Sequence, residues 1–213
     1  MLKPTTYAVL DRYYRHRCEL QDVAEQINSM IELFVNAFQN GKKVLICGNG
    51  GSGADADHIV GELVKAFKKT RAIETKTAQI LRQNSKYGNL LLDKLQGGLP
   101  AINLSAHTAL LTAMINDVGG EFIYAQQVMA YGQPGDILLG ISTSGNAINV
   151  LYAAAVAKAK GMHTIGLTGA KGGKMLSDFD HVIRVSSEVT EDIQDIHSMV
   201  YHAICAGVEE ELW

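Results

Sequence analysis

Five short apolar runs constrain this chain more than any other feature: "KVLIC" (43–47), "LPAINL" (99–104), "GDILLGI" (135–141), "HTIGLT" (163–168) and "HVIRV" (181–185). They are near-continuous rather than alternating, as strands buried on both faces are, and helix-length segments separate them. That rhythm is the rhythm of a parallel sheet with crossover helices. It predicts an α/β protein, a three-layer α/β/α sandwich around five parallel strands, with the flavodoxin-like order 2-1-3-4-5. Residues 6–40 read as a helical lead-in, because Val23, Ile27, Ile31, Phe34 and Phe38 recur at helical spacing. Residues 147–161 and about 190–212 read as helices by the same criterion. The segment 68–98 is too long for a simple connection, and its "AQILRQ" and "LLLDKLQ" runs predict one or two surface helices.

The 213 residues suffice for one sizeable core, so residues 1–213 are expected to form a single domain, with 1–40 as lead-in and 68–98 as an insertion. A net charge of -3 gives no electrostatic reason to expect nucleic acid or an acidic membrane. No apolar run approaches the roughly 18 residues of a membrane helix. The opening "MLKPTTYAVLDRYYRHR" lacks the apolar centre of a secretion signal. Cys18, Cys47 and Cys205 are scattered and odd in number, which reads as reduced thiols and a cytoplasmic location.

In the order 2-1-3-4-5 the first and third strands are neighbours whose crossovers leave on opposite faces, and ligands bind beyond such a switch point. Here both strands run into unusual loops, "CGNGGSGADADH" (47–58) and "STSGN" (142–146). Glycines let backbone N–H groups approach a ligand, and a following helix N-terminus favours an anion. Serine, threonine and asparagine also cap helices with no ligand present, so either loop alone reads both ways. The pair, side by side at a switch point, points to a phosphate. No "GK[ST]" follows the glycines, which excludes a Walker loop. "GNGGSG" satisfies GxGxxG, but "VKAFKKTRAIE" stands where a dinucleotide site needs an acidic residue ending a second strand.

Two helices carry candidate chemistry. His58 and Glu62 lie four residues apart on one face. That pair can hold a metal, supply a base with its orienter, or be a solvated polar pair. On the last helix, Ile193, Ile196, Val200 and Ile204 form one apolar stripe, with His197 at its border. Gln194 and His202 share a face outside that stripe, open to solvent, to another subunit or to a site.

Together, "KVLICGNGGSGADADHIVGEL", "NDVGGEF", "GDILLGISTSGNAINVL", "GMHTIGLTGAKGGKM" and "EDIQDIHSMVYH" resemble the sugar isomerase (SIS) domain family, most closely its phosphoheptose isomerase branch. The resemblance implies a ketose–aldose isomerase acting on a sugar phosphate such as sedoheptulose 7-phosphate. It implies that Ser142, Thr143 and Ser144 hold the phosphate and that Asn49, Gly50 and Ser52 line the substrate. Asp117 and Gln194 fall on substrate-contact positions. Glu62 matches the base and His202 the acid. In zinc-containing members the ligands would map to His58, Glu62, Gln194 and His202. The resemblance also implies a homotetramer with active sites built between subunits.

The chain departs from the family pattern at three positions. Ala147 stands where the phosphate loop commonly carries another serine, Gly53 where bulkier residues are usual, and Gly61 where a second acid often precedes the glutamate. Non-catalytic relatives that bind a protein partner, such as the replication-initiator type, and sugar-phosphate sensors are the alternatives the resemblance leaves open. Joint retention of Glu62, Gln194 and His202 favours the enzyme.

Overall fold

The computed structural model describes residues 1–213. Five parallel strands, β1 (Val44–Gly48), β2 (Ala101–Asn103), β3 (Ile137–Ile141), β4 (His163–Thr168) and β5 (His181–Arg184), form one sheet in the order β2-β1-β3-β4-β5. The expected topology is therefore the observed one. β1 pairs with β3 from Val44 opposite Ile137 through Gly48 opposite Ile141, so the two strands end level.

Strand side chains alternate between two cores, which is how a sheet buried on both faces is filled. Val44 and Ile46 join one core with Ile137, Leu139 and Ile141, under α1 (Pro4–His16), α2 (Ala24–Gln39), α3 (Gly51–Val64) and α10 (Thr190–Leu212). Leu45, Cys47 and Leu138 join the other. There they meet α7 (Ile123–Tyr131), α8 (Ile148–Ala159) and the short α9 (Met175–Asp178). α3 and α8, the helices that follow β1 and β3, thus lie on opposite faces, and the switch point falls between those strands.

Two expectations are refined. The lead-in is two helices, α1 and α2, joined by a 3-10 turn over Cys18–Val23, and it packs on its own chain's α10. Residues 68–98 carry α4 (Thr75–Asn84) and α5 (Gly88–Lys94). α4 buries no residue, as surface helices are expected to. α6 (Thr108–Asp117) precedes a 3-10 turn at Gly120–Phe122 that leads into α7. No helix is long and apolar enough to cross a membrane.

Candidate active site

The loops after β1 and β3 line a cavity of about 270 Å³ together with the start of α10. Asn49 and Ser52 come from the first loop, Ser142, Thr143 and Ser144 from the second, and Gln194 from α10. Gly50 and Gly145 both have positive φ (55° and 65°), the backbone geometry that lets each chain turn sharply from strand into helix. The N-cap of α8 is Ala147, so no side-chain hydrogen bond caps the helix. Ser144 Oγ accepts from the Asn146 N–H at 3.2 Å in a local turn, while Ser142 and Thr143 line the cavity without capping the helix. Hydrogen bonds tie the first loop to its neighbours. Asn49 and Asn149 exchange amide hydrogen bonds of 2.9 Å, and the Tyr124 hydroxyl donates to the Gly48 carbonyl at 2.6 Å. Gln194 lies so close over Gly51 that a Cβ there would overlap its amide.

Further along the same two helices, three ligand-type atoms converge. His58 Nε2 lies 3.2 Å from Glu62 Oε1 and 3.4 Å from His202 Nε2. All three donor atoms lie within 4.8 Å of one another. The other oxygen of Glu62, Oε2, is buried without a partner. A buried carboxylate oxygen without a donor is costly unless something positive completes it. A divalent cation fits that requirement, and a His/Glu/His set is the nitrogen and oxygen chemistry that suits zinc. Burial, together with nearby His58, Arg17 and Lys68, holds His202 below the ordinary histidine pKa, although Glu62 works the other way.

The wall beside this cluster is fixed from below. Phe67 stacks on the His202 ring, with centroids 5.7 Å apart and planes 13° from parallel. The loop carrying Phe67 is held by Glu209, whose carboxylate accepts from the backbone N–H groups of Phe67, Lys68 and Lys69 at 2.8–3.0 Å. Arg71 Nε donates to the same carboxylate at 2.8 Å, and its Nη atoms donate to the Leu63 and Glu62 carbonyls at the end of α3.

Of the residues expected at a site, the structure gathers Asn49, Ser52, Ser142, Thr143, Ser144 and Gln194 in the cavity. It gathers His58, Glu62 and His202 in the cluster. Gly50 is the turn residue of the first loop. Asp117 stands apart within this chain: it is exposed at the end of α6 and accepts from the Asn116 amide at 2.8 Å. His197 belongs to the core, with no exposed surface and neither ring nitrogen partnered. Burial pushes its pKa down to about 4, so it stays neutral. Asn149, Thr190 and Phe67 line or brace the site without having been singled out in the sequence. Asn149 alone left a trace there, falling three residues beyond "SGN".

The family model for the SIS domain matches residues 13–91 and 96–169. A phosphoheptose isomerase of Synechocystis sp. is 40% identical over 193 residues, covering 91% of this chain and 87% of that relative. One from Aneurinibacillus thermoaerophilus is 40% identical over 195 residues, 92% of this chain and 84% of that one. Among solved structures, phosphoheptose isomerase GmhA from Neisseria gonorrhoeae superposes with a TM-score of 0.74 at 31% identity. That match covers 96% of this chain and 95% of the other.

Proposed function

The chain belongs to the SIS domain family, and from that premise we propose that it is a phosphosugar isomerase of the phosphoheptose type. It interconverts sedoheptulose 7-phosphate and the corresponding aldoheptose phosphate. One observation carries the reading: the hydroxyl-lined cavity and the His58/Glu62/His202 cluster sit on the same two helices. Ser52 to His58 is about 9 Å along α3, and Gln194 to His202 about 12 Å along α10. A seven-carbon chain with a terminal phosphate, extended between the two, reaches the cluster with its first two carbons.

In this reading Ser142, Thr143 and Ser144 hold the phosphate against the α8 N-terminus. Binding energy from that remote group positions the reacting carbons. Asn49, Gly50, Ser52 and Gln194 line the sugar; Asp117, which stands apart from this cavity within one chain, would contact sugar in the site of a neighbouring subunit. Glu62 moves the proton between C1 and C2 through an enediol, while His202 protonates the sugar oxygen. His58, Glu62 and His202 would hold a zinc ion; Gln194, whose amide packs over Gly51 in this chain, would have to swing along α10 toward the cluster to serve as a fourth ligand. When bound, zinc supplies Lewis-acid stabilisation of charge on the sugar oxygens. The enzyme works as a homotetramer with sites completed between subunits. Three cysteines without a disulfide suit a reducing, cytoplasmic setting.

The test is isomerisation of sedoheptulose 7-phosphate by purified protein, with and without a chelator, beside Glu62→Gln and His202→Ala. Wild type should turn over, and Glu62→Gln should lose about 10²–10⁴-fold in kcat. Absence of turnover on any ketose phosphate after zinc is restored would overturn the isomerase. An unimpaired Glu62→Gln would overturn the base.

A further inference from the structure

The phenol of Tyr201 lies behind the candidate metal ligands and has no part in the chemistry above. It is 3% exposed, directly precedes His202 on α10, and its oxygen is 3.0 Å from His58 Nδ1 and 3.4 Å from Asp55 Oδ1. Asp55 is one turn before His58 on α3, so Asp55, His58 and Glu62 share one helical face. A carboxylate, a phenol and an imidazole therefore stand in line, from inside the α3–α10 contact outward to the cluster.

A count of protons gives this line its direction. A phenol has one hydrogen to donate and lone pairs with which to accept. Asp55 Oδ2 is buried with no partner, and the Tyr201 hydroxyl is the donor that reaches Oδ1. A half-buried carboxylate with one donor within reach takes that hydrogen, because its inner oxygen already lacks a partner and leaving both unpaired is costly. The phenol oxygen is then left to accept from His58, which requires the imidazole hydrogen on Nδ1. An imidazole protonated at Nδ1 presents its lone pair at Nε2, the atom that faces His202 Nε2 and Glu62 Oε1. That carboxylate oxygen, 3.2 Å away, competes for a hydrogen at Nε2 when no cation is bound, and the relay is what favours Nδ1 against it.

We propose that Asp55 and Tyr201 are positioning residues. Through a two-step hydrogen-bond relay they hold His58 in the Nδ1–H tautomer, with Nε2 presented as a ligand. Histidines that bind metals ordinarily donate their other N–H to a carboxylate or carbonyl, which fixes ring and tautomer together. Here the carboxylate acts at one remove, through a phenol from the opposing helix. The relay also links α3 to α10 one residue from His202, so it fixes the relative placement of ligands drawn from different helices. Its affinity readout rests on the metal reading above; its tautomer readout does not.

Long-range proton–nitrogen correlation spectra of the metal-free protein at neutral pH report which His58 nitrogen carries hydrogen. Competition with a chromophoric chelator reports zinc affinity in the same samples. Wild type should populate the Nδ1–H tautomer of His58 against the competing pull of Glu62 on Nε2. Tyr201→Phe keeps the ring and removes only the hydroxyl; it should abolish that preference and weaken zinc binding about 10–100-fold. Asp55→Asn, which replaces an acceptor-only group with one that can also donate, should shift His58 toward Nε2–H and weaken zinc in the same direction. A wild-type His58 protonated at Nε2 alone overturns the relay, as does Tyr201→Phe with tautomer and affinity both unmoved while wild type binds zinc tightly. A wild type that binds no zinc, yet loses its Nδ1–H tautomer in Tyr201→Phe, sinks the metal reading and leaves the relay standing.

Discussion

At the scale of single residues, position 147 concentrates two effects. Ala147 is the N-cap of α8, at φ -63° and ψ 108°, and it also lines the hydroxyl-rich cavity. A serine there would bond an unpaired N–H of the first turn in the free protein and could donate to a phosphate in the complex. Ala147→Ser is therefore expected to stabilise the fold by about 1 kcal/mol, read by denaturant unfolding. It should also tighten inorganic phosphate, read by calorimetry. Unchanged stability together with unchanged phosphate affinity would show that the loop neither lacks a cap nor holds an anion. The residues legible in the sequence are those whose role follows local spacing: the 142–144 hydroxyls, the His58/Glu62 pair, and Gln194 and His202 off the apolar stripe. Asp55, Phe67 and Tyr201 act only across elements, and nothing in their immediate neighbourhood announces that. Tyr201 in particular reads as one more bulky residue beside a core stripe until α3 is laid against it.

At the scale of elements, the stretch from Glu62 to Arg71 depends on one buried ion pair. Arg71 and Glu209 have side chains 0% and 1% exposed, and between them they satisfy three loop N–H groups and two carbonyls at the end of α3. Removing one partner of such a pair leaves an uncompensated charge, so Arg71→Met is expected to cost about 3–5 kcal/mol. Replacing both partners would not restore the loss, because the N–H groups of Phe67, Lys68 and Lys69 would remain orphaned. Burial alone would raise the Glu209 carboxyl; the N–H groups of Phe67 and Lys68 and the Arg71 guanidinium outweigh it and hold it below the ordinary value of 4.5. A carboxyl depressed in the folded state contributes stability that is fully present above the unfolded pKa and lost as pH falls through the folded one. Denaturant unfolding across the acid range should therefore show the difference between wild type and Glu209→Gln shrinking below about pH 4.5. A difference constant with pH would remove the ion pair from the account. The strands and α10 were legible because apolar runs and stripes are local signals. The break in the lead-in at Cys18–Val23 was not, because the helical periodicity continues through it while the backbone is held by tertiary packing on α10.

At the scale of the whole molecule, the fold follows from five apolar runs and one switch point, but a single chain leaves its chemistry open to water. The His58 side chain is 48% exposed beside a Glu62 that is 14% exposed. Proton transfer through an enediol is most effective where water is excluded and fixed dipoles replace it. Meanwhile Ile115, Val118, Phe122 and Tyr152 lie exposed along α6 to α8, with Phe122 and Tyr152 stacked 5.5 Å apart. Exposed apolar groups of this kind are the ordinary mark of a contact surface. In the proposed tetramer a second chain would cover this open cluster and exclude water from it. Light scattering on purified protein should give a mass near four times 23.0 kDa. Because assembly is governed by mass action, specific activity should fall as the protein is diluted through the dissociation range, and the fall should track the loss of mass. A monomer of full specific activity at any concentration would sink the shared-site arrangement. The cluster would then have to exclude water with residues of its own chain, and Phe67, the one aromatic stacked on His202, would be the first to examine.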